Sequence, residues 1–395
     1  MSSTSADQSR IPSYILPVIV LAQFAGTSLW FAGNAIIPDL VLQLNLTNSA
    51  IGHITSAVQF GFIIGTLIFA WLSIADRMSP SLVFLICAIA GSAANLLAFI
   101  SPDYLLLLLS RFVTGFFLAG IYPVGMKIAS DWHKKGLGKA LGFLVGALVL
   151  GTASPHLIRD LTGDLPWKFI LISTSAFASA GGILLYMTVP DGPFSSRRGI
   201  FKPDAVAQLF KNKNFRSSSF GYFGHMWELY TFWAFIPVIL IAYQNVHSET
   251  LINVSRFSFL IISAGAAGCA IGGYFALKYS SKKVATVSLI ISGACCLLIP
   301  FFFVMNEILF LSLLMIWGFF VVSDSPQFSS LVAKSSDSDY VATGLTIVNC
   351  IGFSITIVSL QLMNILWQTY QSPVVFMVLA IGPAMGLIAI LRYQE

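Results

Sequence analysis

Residues 115–123 read Gly115-Phe116-Phe117-Leu118-Ala119-Gly120-Ile121-Tyr122-Pro123. At an offset of 203 residues, Gly318-Phe319-Phe320-Val321-Val322-Ser323-Asp324-Ser325-Pro326 repeats the glycine, the phenylalanine pair and the proline at the same spacing. Two further matches flank this one. Leu72-Ser-Ile-Ala-Asp76-Arg77-Met-Ser faces Gly273-Tyr-Phe-Ala-Leu277-Lys278-Tyr-Ser at an offset of 201, and Gly142 faces Gly344 at 202. Any single match is cheap, because 33 of the 395 residues are Phe. Three matches in order at nearly one offset indicate a duplicated chain with parallel halves.

The composition sets the solvent of those halves. The chain is 57% apolar and 9% charged, with a mean hydropathy of +0.85. A soluble domain is about 25% charged. So few charges cannot cover a soluble globule of this size, which excludes a soluble enzyme, a disordered protein and a nucleic-acid binder. Apolar runs of the length needed to cross about 30 Å of hydrocarbon lie near 12–33, 51–74, 81–100, 104–128, 139–158, 167–189, 217–242, 255–277, 284–304, 307–330, 341–364 and 372–391. The predicted fold is therefore all-α and integral to the membrane, with twelve transmembrane helices. The first run is too long for a signal-peptide core and is read as retained. The five cysteines, Cys87, Cys269, Cys295, Cys296 and Cys350, fall within apolar runs and read as small core residues.

Orientation follows from the basic residues. With the N-terminus in the cytoplasm, the cytoplasmic segments hold Arg10, Arg77, Lys127, Lys134, Lys135, Lys139, Arg197, Arg198, Lys202, Lys211, Lys213, Arg216, Lys278, Lys282, Lys283, Lys334 and Arg392. That is 17 of 21 Lys and Arg, against Arg159, Lys168 and Arg256 outside and Arg111 within a helix. Both termini are expected to be cytoplasmic. The longest polar stretch, Pro190 to Arg216, carries six basic residues. It divides the chain into a six-helix bundle over 1–189, a cytoplasmic linker over 190–216 and a second bundle over 217–395.

With twelve helices, a six-plus-six split and a basic central loop, the chain resembles the major facilitator superfamily of secondary transporters over nearly its whole length. Ile74-Ala75-Asp76-Arg77 keeps the centre of that family's loop-two signature, with Leu72 and Ser79 in place of its glycines and Pro80-Ser81 in place of its trailing basic pair. The second copy keeps Gly273, Lys278, Lys282 and Lys283 and has Leu277 for the aspartate. Arg111-Phe-Val-Thr-Gly115 matches the helix-four signature. Glycines 142, 146 and 151 with Pro155 keep only part of the helix-five antiporter signature, which does not support drug antiport. Gly120-Ile-Tyr-Pro-Val-Gly-Met-Lys127 is similar to bacterial members grouped loosely with nitrate or cyanate porters, but the glycine-rich signature of true nitrate porters is absent. The resemblance implies alternating access, with the first, fourth, seventh and tenth helices lining the cavity. It also implies that Asp76 meets the start of helix eleven, near Tyr340 to Gly344, and closes the cytoplasmic side. Asp76, Arg77, Gly115, Gly273 and Lys278 are thus gating candidates.

Chemistry-bearing residues inside the runs are few. An unpaired guanidinium inside a membrane helix costs about 2.5–3.5 kcal/mol or more, so Arg111 must meet a partner or a polar cavity. It reads either as an anion-binding or proton-coupling group or as a clamp on backbone carbonyls. His225 and Glu228 are three residues apart and share a helix face. A carboxylate near the membrane middle is costly when ionised, and a group that takes and releases a proton needs two forms close in energy. Glu228 is the coupling candidate on that ground; the alternative is a plain pair with His225 or Arg111. Asp324 faces Ile121 in the repeat, so it either lines the cavity or caps a proline break. Gln23 and Asn34 read as neutral hydrogen-bonding groups, and Tyr222 and Trp233 as cavity wall or packing.

No Walker sequence, nucleophile elbow or zinc-binding helix motif is present. No catalytic or metal-binding residue is expected. The expected partners are a small-molecule substrate and the lipid bilayer, with no nucleic acid. The expected function is secondary active transport of a small organic anion or zwitterion by a monomer in a bacterial inner membrane. It needs no cofactor, and the proton gradient is the energy source. The alternatives are efflux of a lipophilic compound and, from another class, a polytopic membrane enzyme.

Overall fold

The computed structural model describes residues 11–44, 46, 49–100, 103–133, 137–163, 165–194 and 202–394, apart from the side chains of residues 137–139 and 338. Arg10, Lys134, Lys135, Arg197 and Arg198 of the basic count lie outside the described residues, as does the Lys139 side chain.

Among the described residues, all regular structure is helical. The first half contains α1 (Ile15–Thr27), α2 (Ala32–Ala35), α3 (Ile37–Gln43), α4 (Ala50–Trp71), α5 (Ile74–Arg77), α6 (Pro80–Leu97), α7 (Tyr104–Leu118), α8 (Tyr122–Trp132), α9 (Leu137–Thr162) and α10 (Lys168–Thr188). After the linker helix α11 (Ala205–Leu209), the second half contains α12 (Lys213–Val246), α13 (Val254–Tyr279), α14 (Ser281–Phe302), α15 (Glu307–Ser323), α16 (Ser325–Ser335), α17 (Val341–Tyr370) and α18 (Ile381–Ile390), the last preceded by a 3₁₀ segment, Pro373–Ala380. Eleven helical segments are long and apolar enough to cross a membrane. The first apolar run differs from expectation. It is a 13-residue helix, α1, that breaks at residues 28–31 and resumes as α2 and α3. Large apolar side chains such as Leu109, Ile183, Phe275, Ile290 and Ile388 are exposed along the helices, as lipid-facing positions require.

The quoted stretch sets a helix break in each half. α7 ends at Leu118 and α8 begins beside Pro123; α15 ends at Ser323 and α16 begins beside Pro326. Proline lacks the N–H that continues a helix but suits its first turn. The repeated glycines mark close backbone contacts. A Cβ on Gly115 would overlap the Val58 carbonyl of α4, and one on Gly318 would overlap the Ile261 carbonyl of α13. Gly65 against the Phe116 carbonyl is matched by Gly268 against the Phe319 carbonyl. Every partner in these pairs is displaced by the same 203 residues. Thus α4 packs on α7 as α13 packs on α15. Glycine costs a helix about 1 kcal/mol but lets two backbones touch where lipid supplies no hydrophobic drive. Gly273 does not share this role, since a Cβ there meets open space.

The halves meet where α9 packs on α13 and α4 on α17. Among the described residues, four hydrogen bonds cross between them at the end away from the linker. Gln361 Nε2 donates to Ser56 Oγ at 2.8 Å and Asn364 Nδ2 to the Ser49 carbonyl at 3.2 Å. Asp160 accepts from Asn253 Nδ2 at 2.6 Å and from Arg256 Nε at 3.0 Å. At the opposite end the linker lies over the start of α17. The Lys202 N–H donates to Thr343 Oγ1 at 3.2 Å, and Ala205 and Leu209 are buried. The chain's C-terminal segment returns to this end, where Lys282 Nζ donates to the Tyr393 carbonyl.

Candidate functional site

Arg111 is completely buried on α7 and reaches into the break after α1. Nη1 donates to Asn95 Oδ1 at 2.5 Å, and Nη2 donates to the carbonyls of Leu29 at 2.7 Å and Trp30 at 3.0 Å. The break and the cation satisfy each other. Residues 28–31 leave carbonyls without helical partners, and the guanidinium fork supplies donors in the geometry they need. Asn95 is itself held on α10, donating to the Leu171 carbonyl and to the Thr174 and Ser175 hydroxyls. Of the two readings of Arg111, the clamp on carbonyls is the arrangement present. Among the described residues it has no carboxylate partner.

Glu228 and His225 are not brought together. Glu228 turns into the second half, where its carboxylate accepts from Trp317 Nε1 at 2.6 Å, Ser292 Oγ at 3.0 Å and Cys296 Sγ at 3.2 Å. It pairs with neither His225 nor Arg111. Three positions along a helix turn the side chain by about 60° from its starting direction, enough to aim Glu228 at α14 and α15 while His225 faces elsewhere. His225 Nδ1 lies 2.8 Å from Asp324 Oδ1, an ion pair when the imidazole is protonated, with both side chains buried. Asp324 occupies the break between α15 and α16, so it is both at the proline break and at a buried histidine. Tyr222 stands beside His225, with ring centroids 5.8 Å apart, and its hydroxyl donates to Asn349 Oδ1 of α17 at 2.9 Å.

The gating candidates separate. Asp76 lies 3.0 Å from Lys127 Nζ of α8, which also reaches Asp131 at 3.4 Å. The expected partner, the start of α17, is instead covered by the linker, with Lys202 over the Tyr340 ring. Ser73, in left-handed backbone at φ 50°, makes the corner that swings Asp76 toward α8. Gly115 is a packing contact. Arg77 and Lys278 are exposed, the latter 5.2 Å from the Tyr279 ring. Asn34 Nδ2 donates to Thr55 Oγ1 at 2.8 Å, which ties α2 to α4. Gln23 is buried against Gly125, and neither amide atom has a partner among the described residues.

An aromatic cluster joins the halves at the centre. Trp30, in the clamped break, stacks on Tyr230 of α12 and on Phe353 of α17, both at 5.7 Å. Phe62 of α4 meets Trp30 and Phe353, and Phe31 meets Trp233 edge-on at 6.3 Å. Trp233 was a candidate from sequence; Trp30, Asn95, Lys127 and Trp317 were not. The available signal was a polar or indole-bearing residue within an otherwise apolar run, the same signal that singled out Arg111.

Two matched halves with breaks at equivalent helices, buried polar clusters within each half and an aromatic junction between them describe a polytopic membrane protein. The Major Facilitator Superfamily profile matches residues 19–360, and the chain belongs to that family. Its relatives are transporters, which sets aside the membrane-enzyme alternative. It is 23% identical over 275 residues to the inner membrane transport protein YdhP of Escherichia coli K12, covering 69% of this chain and 67% of that one. It is 26% identical over 165 residues to the putative transporter AraJ of the same organism, covering 41% of each. Among solved structures, the human organic anion transporter MFSD10 superposes with a TM-score of 0.73 at 14% identity, covering 98% of this chain and 100% of that one. The FucP transporter in its outward conformation superposes with a TM-score of 0.70 at 14% identity, covering 96% and 99%. These structural matches establish the shared fold.

Proposed function

We propose that this chain is a proton-coupled secondary transporter that moves a small organic solute by alternating access. Its twelve membrane-spanning helices form the bundles 1–189 and 217–395, joined by a cytoplasmic linker over 190–216. Both termini face the cytoplasm, and the protein works as a monomer in a bacterial inner membrane, as the name of its YdhP relative suggests. The observation that carries the reading is the contrast between the two ends of the interface. Four hydrogen bonds tie the halves together away from the linker. At the linker end Asp76 is held by Lys127 within its own half. A transporter latched by hydrogen bonds outside and held only by packing of α9 on α13 and α16 inside has this distribution of polar contacts, and Asp76 would exchange Lys127 for the start of α17 when the cycle reverses. A carboxylate at a helix N-terminus gains about 0.3–1 kcal/mol from the dipole, small enough for the exchange to be reversible.

Coupling is assigned to the Asp324–His225 pair in place of Glu228. Asp324 sits in a helix break, where relative motion of α15 and α16 alters its distance to His225. Glu228 is bound by three donors inside one half, where rocking of the halves does not reach it. The test is solute-driven proton movement in proteoliposomes with an entrapped pH indicator. Asp324→Asn should abolish proton-coupled accumulation and retain solute exchange, while Glu228→Gln should keep both in whatever fraction folds. Wild-type coupling by Asp324→Asn, or its loss in well-folded Glu228→Gln, would return the proton site to Glu228.

A further inference from the structure

The offset of 203 that relates the glycine contacts also relates Trp30 to Trp233. Each is completely buried, and each indole N–H lacks a hydrogen-bond partner among the described residues. They stand at equivalent sequence positions of the two halves, Trp30 in the break after α1 and Trp233 within α12, and meet in one cluster, Trp30 on Tyr230 and Tyr230 on Trp233 at 5.3 Å. A buried donor left unpaired loses its hydration without compensation, and an indole N–H can only donate. The chain keeps two of them, one from each half, at the junction that alternating access must open. Arg111 adds a positive charge immediately behind, through its bond to the Trp30 carbonyl. The buried carboxylates of the second half face other partners, Glu228 meeting Trp317, Ser292 and Cys296 and Asp324 meeting His225, while Asp131 of the first half meets Lys127. The centre is therefore aromatic, rich in donors and positive on the side of the first half.

We propose that Trp30 and Trp233 are the paired recognition groups of the substrate site, and that the substrate is a planar aromatic anion, such as an aromatic carboxylate. Its ring takes the place that Trp30 and Tyr230 now occupy against each other, and its oxygens accept from the two indole N–H groups. This rests on the transport reading above and narrows it. It also joins two earlier expectations, since the charge fits an organic anion and the ring fits a lipophilic compound. Because Arg111 spends both terminal nitrogens on Asn95 and backbone carbonyls, it acts through its charge and by holding Trp30 in place, and is a positioning residue.

The test is equilibrium binding of radiolabelled 1-naphthoate to the purified full-length chain in detergent, which requires neither coupling nor transport. Saturable binding is expected. Unlabelled naphthoate should compete at least about tenfold better than neutral 1-naphthamide, since a hydrogen bond to a charged group exceeds one to a neutral group by about that factor, and better than cationic 1-naphthylmethylamine, which has no acceptor for the indoles, and cyclohexanecarboxylate, which has no ring to stack. Trp30→Phe and Trp233→Phe retain a ring and lose the N–H, and each should weaken binding about tenfold or more. Absence of saturable naphthoate binding to the wild type, better competition by the amine, or undiminished binding by both Phe variants would overturn the proposal. Naphthoate binding without pH-driven uptake in proteoliposomes would overturn the transport reading and leave the site intact.

Discussion

The breaks at α7–α8 and at α15–α16 share one backbone plan and differ in chemistry. In the first, Ile121 occupies the position that Asp324 holds in the second, and both are buried. Leu314 occupies the position of Arg111, and Ala22 and Ala25 occupy those of His225 and Glu228. Among the described residues of the first half, the one fully buried cation, Arg111, holds a broken helix. The second half carries an aspartate–histidine pair at its break and a carboxylate wrapped by donors. The duplication supplies the architecture of both halves, and single substitutions on it supply the chemistry of each.

The largest expected effect comes from erasing the cation. Arg111→Leu gives the first half the residue of the second and removes the donors to Asn95, Leu29 and Trp30 at once. At about 1–3 kcal/mol for each buried group left unpaired, thermal unfolding in detergent should show a loss of roughly 3 kcal/mol or more. Wild-type stability would mean that the break after α1 does not depend on the clamp.

The shared architecture predicts symmetric responses. Gly115→Ala and Gly318→Ala each push a methyl group into a carbonyl of the neighbouring helix, and should destabilise by similar amounts, about 1–3 kcal/mol. Gly273→Ala meets open space and should change stability by about 0.5 kcal/mol or less beyond its gain in helix propensity. Unequal effects at 115 and 318 would break the equivalence of the two helix pairs. The smallest change is expected at the loop. Asp76→Asn removes a partly exposed pair worth about 1 kcal/mol or less, so unfolding should barely shift, while labelling of the linker end from the cytoplasmic side should increase.

Much of the architecture was legible in the sequence because it rests on periodicity and on repeats. Apolar runs located the helices with ends off by up to about six residues, and the repeated Gly-Phe-Phe and proline matched the two halves, but only the break beside Pro326 was read, as one alternative for Asp324. The break after α1 was not legible. No proline marks residues 28–31, and the segment is held open by Arg111, which is 82 residues from Leu29 in the chain. Sequence reading singled out Arg111, Glu228, His225 and Asp324 because charge in an apolar run needs a partner. It did not pair them correctly, because spacing along one helix says which face a residue shares and not which neighbouring helix that face meets. The position of Asp76 depends on the state of the interface, which no local pattern encodes.

The central claim is that the two ends of the interface open in alternation. Double electron–electron resonance tests it without knowledge of the substrate. Spin labels at Leu161 and Leu251 span the halves at the end away from the linker, and labels at Trp71 and Leu277 span them at the linker end; all four side chains are well exposed. The five buried native cysteines would be replaced by alanine beforehand. Between acidic and alkaline buffer, one distance should lengthen as the other shortens, and Asp324→Asn should abolish this response. Two distances that stay fixed together, or that lengthen together, would contradict it.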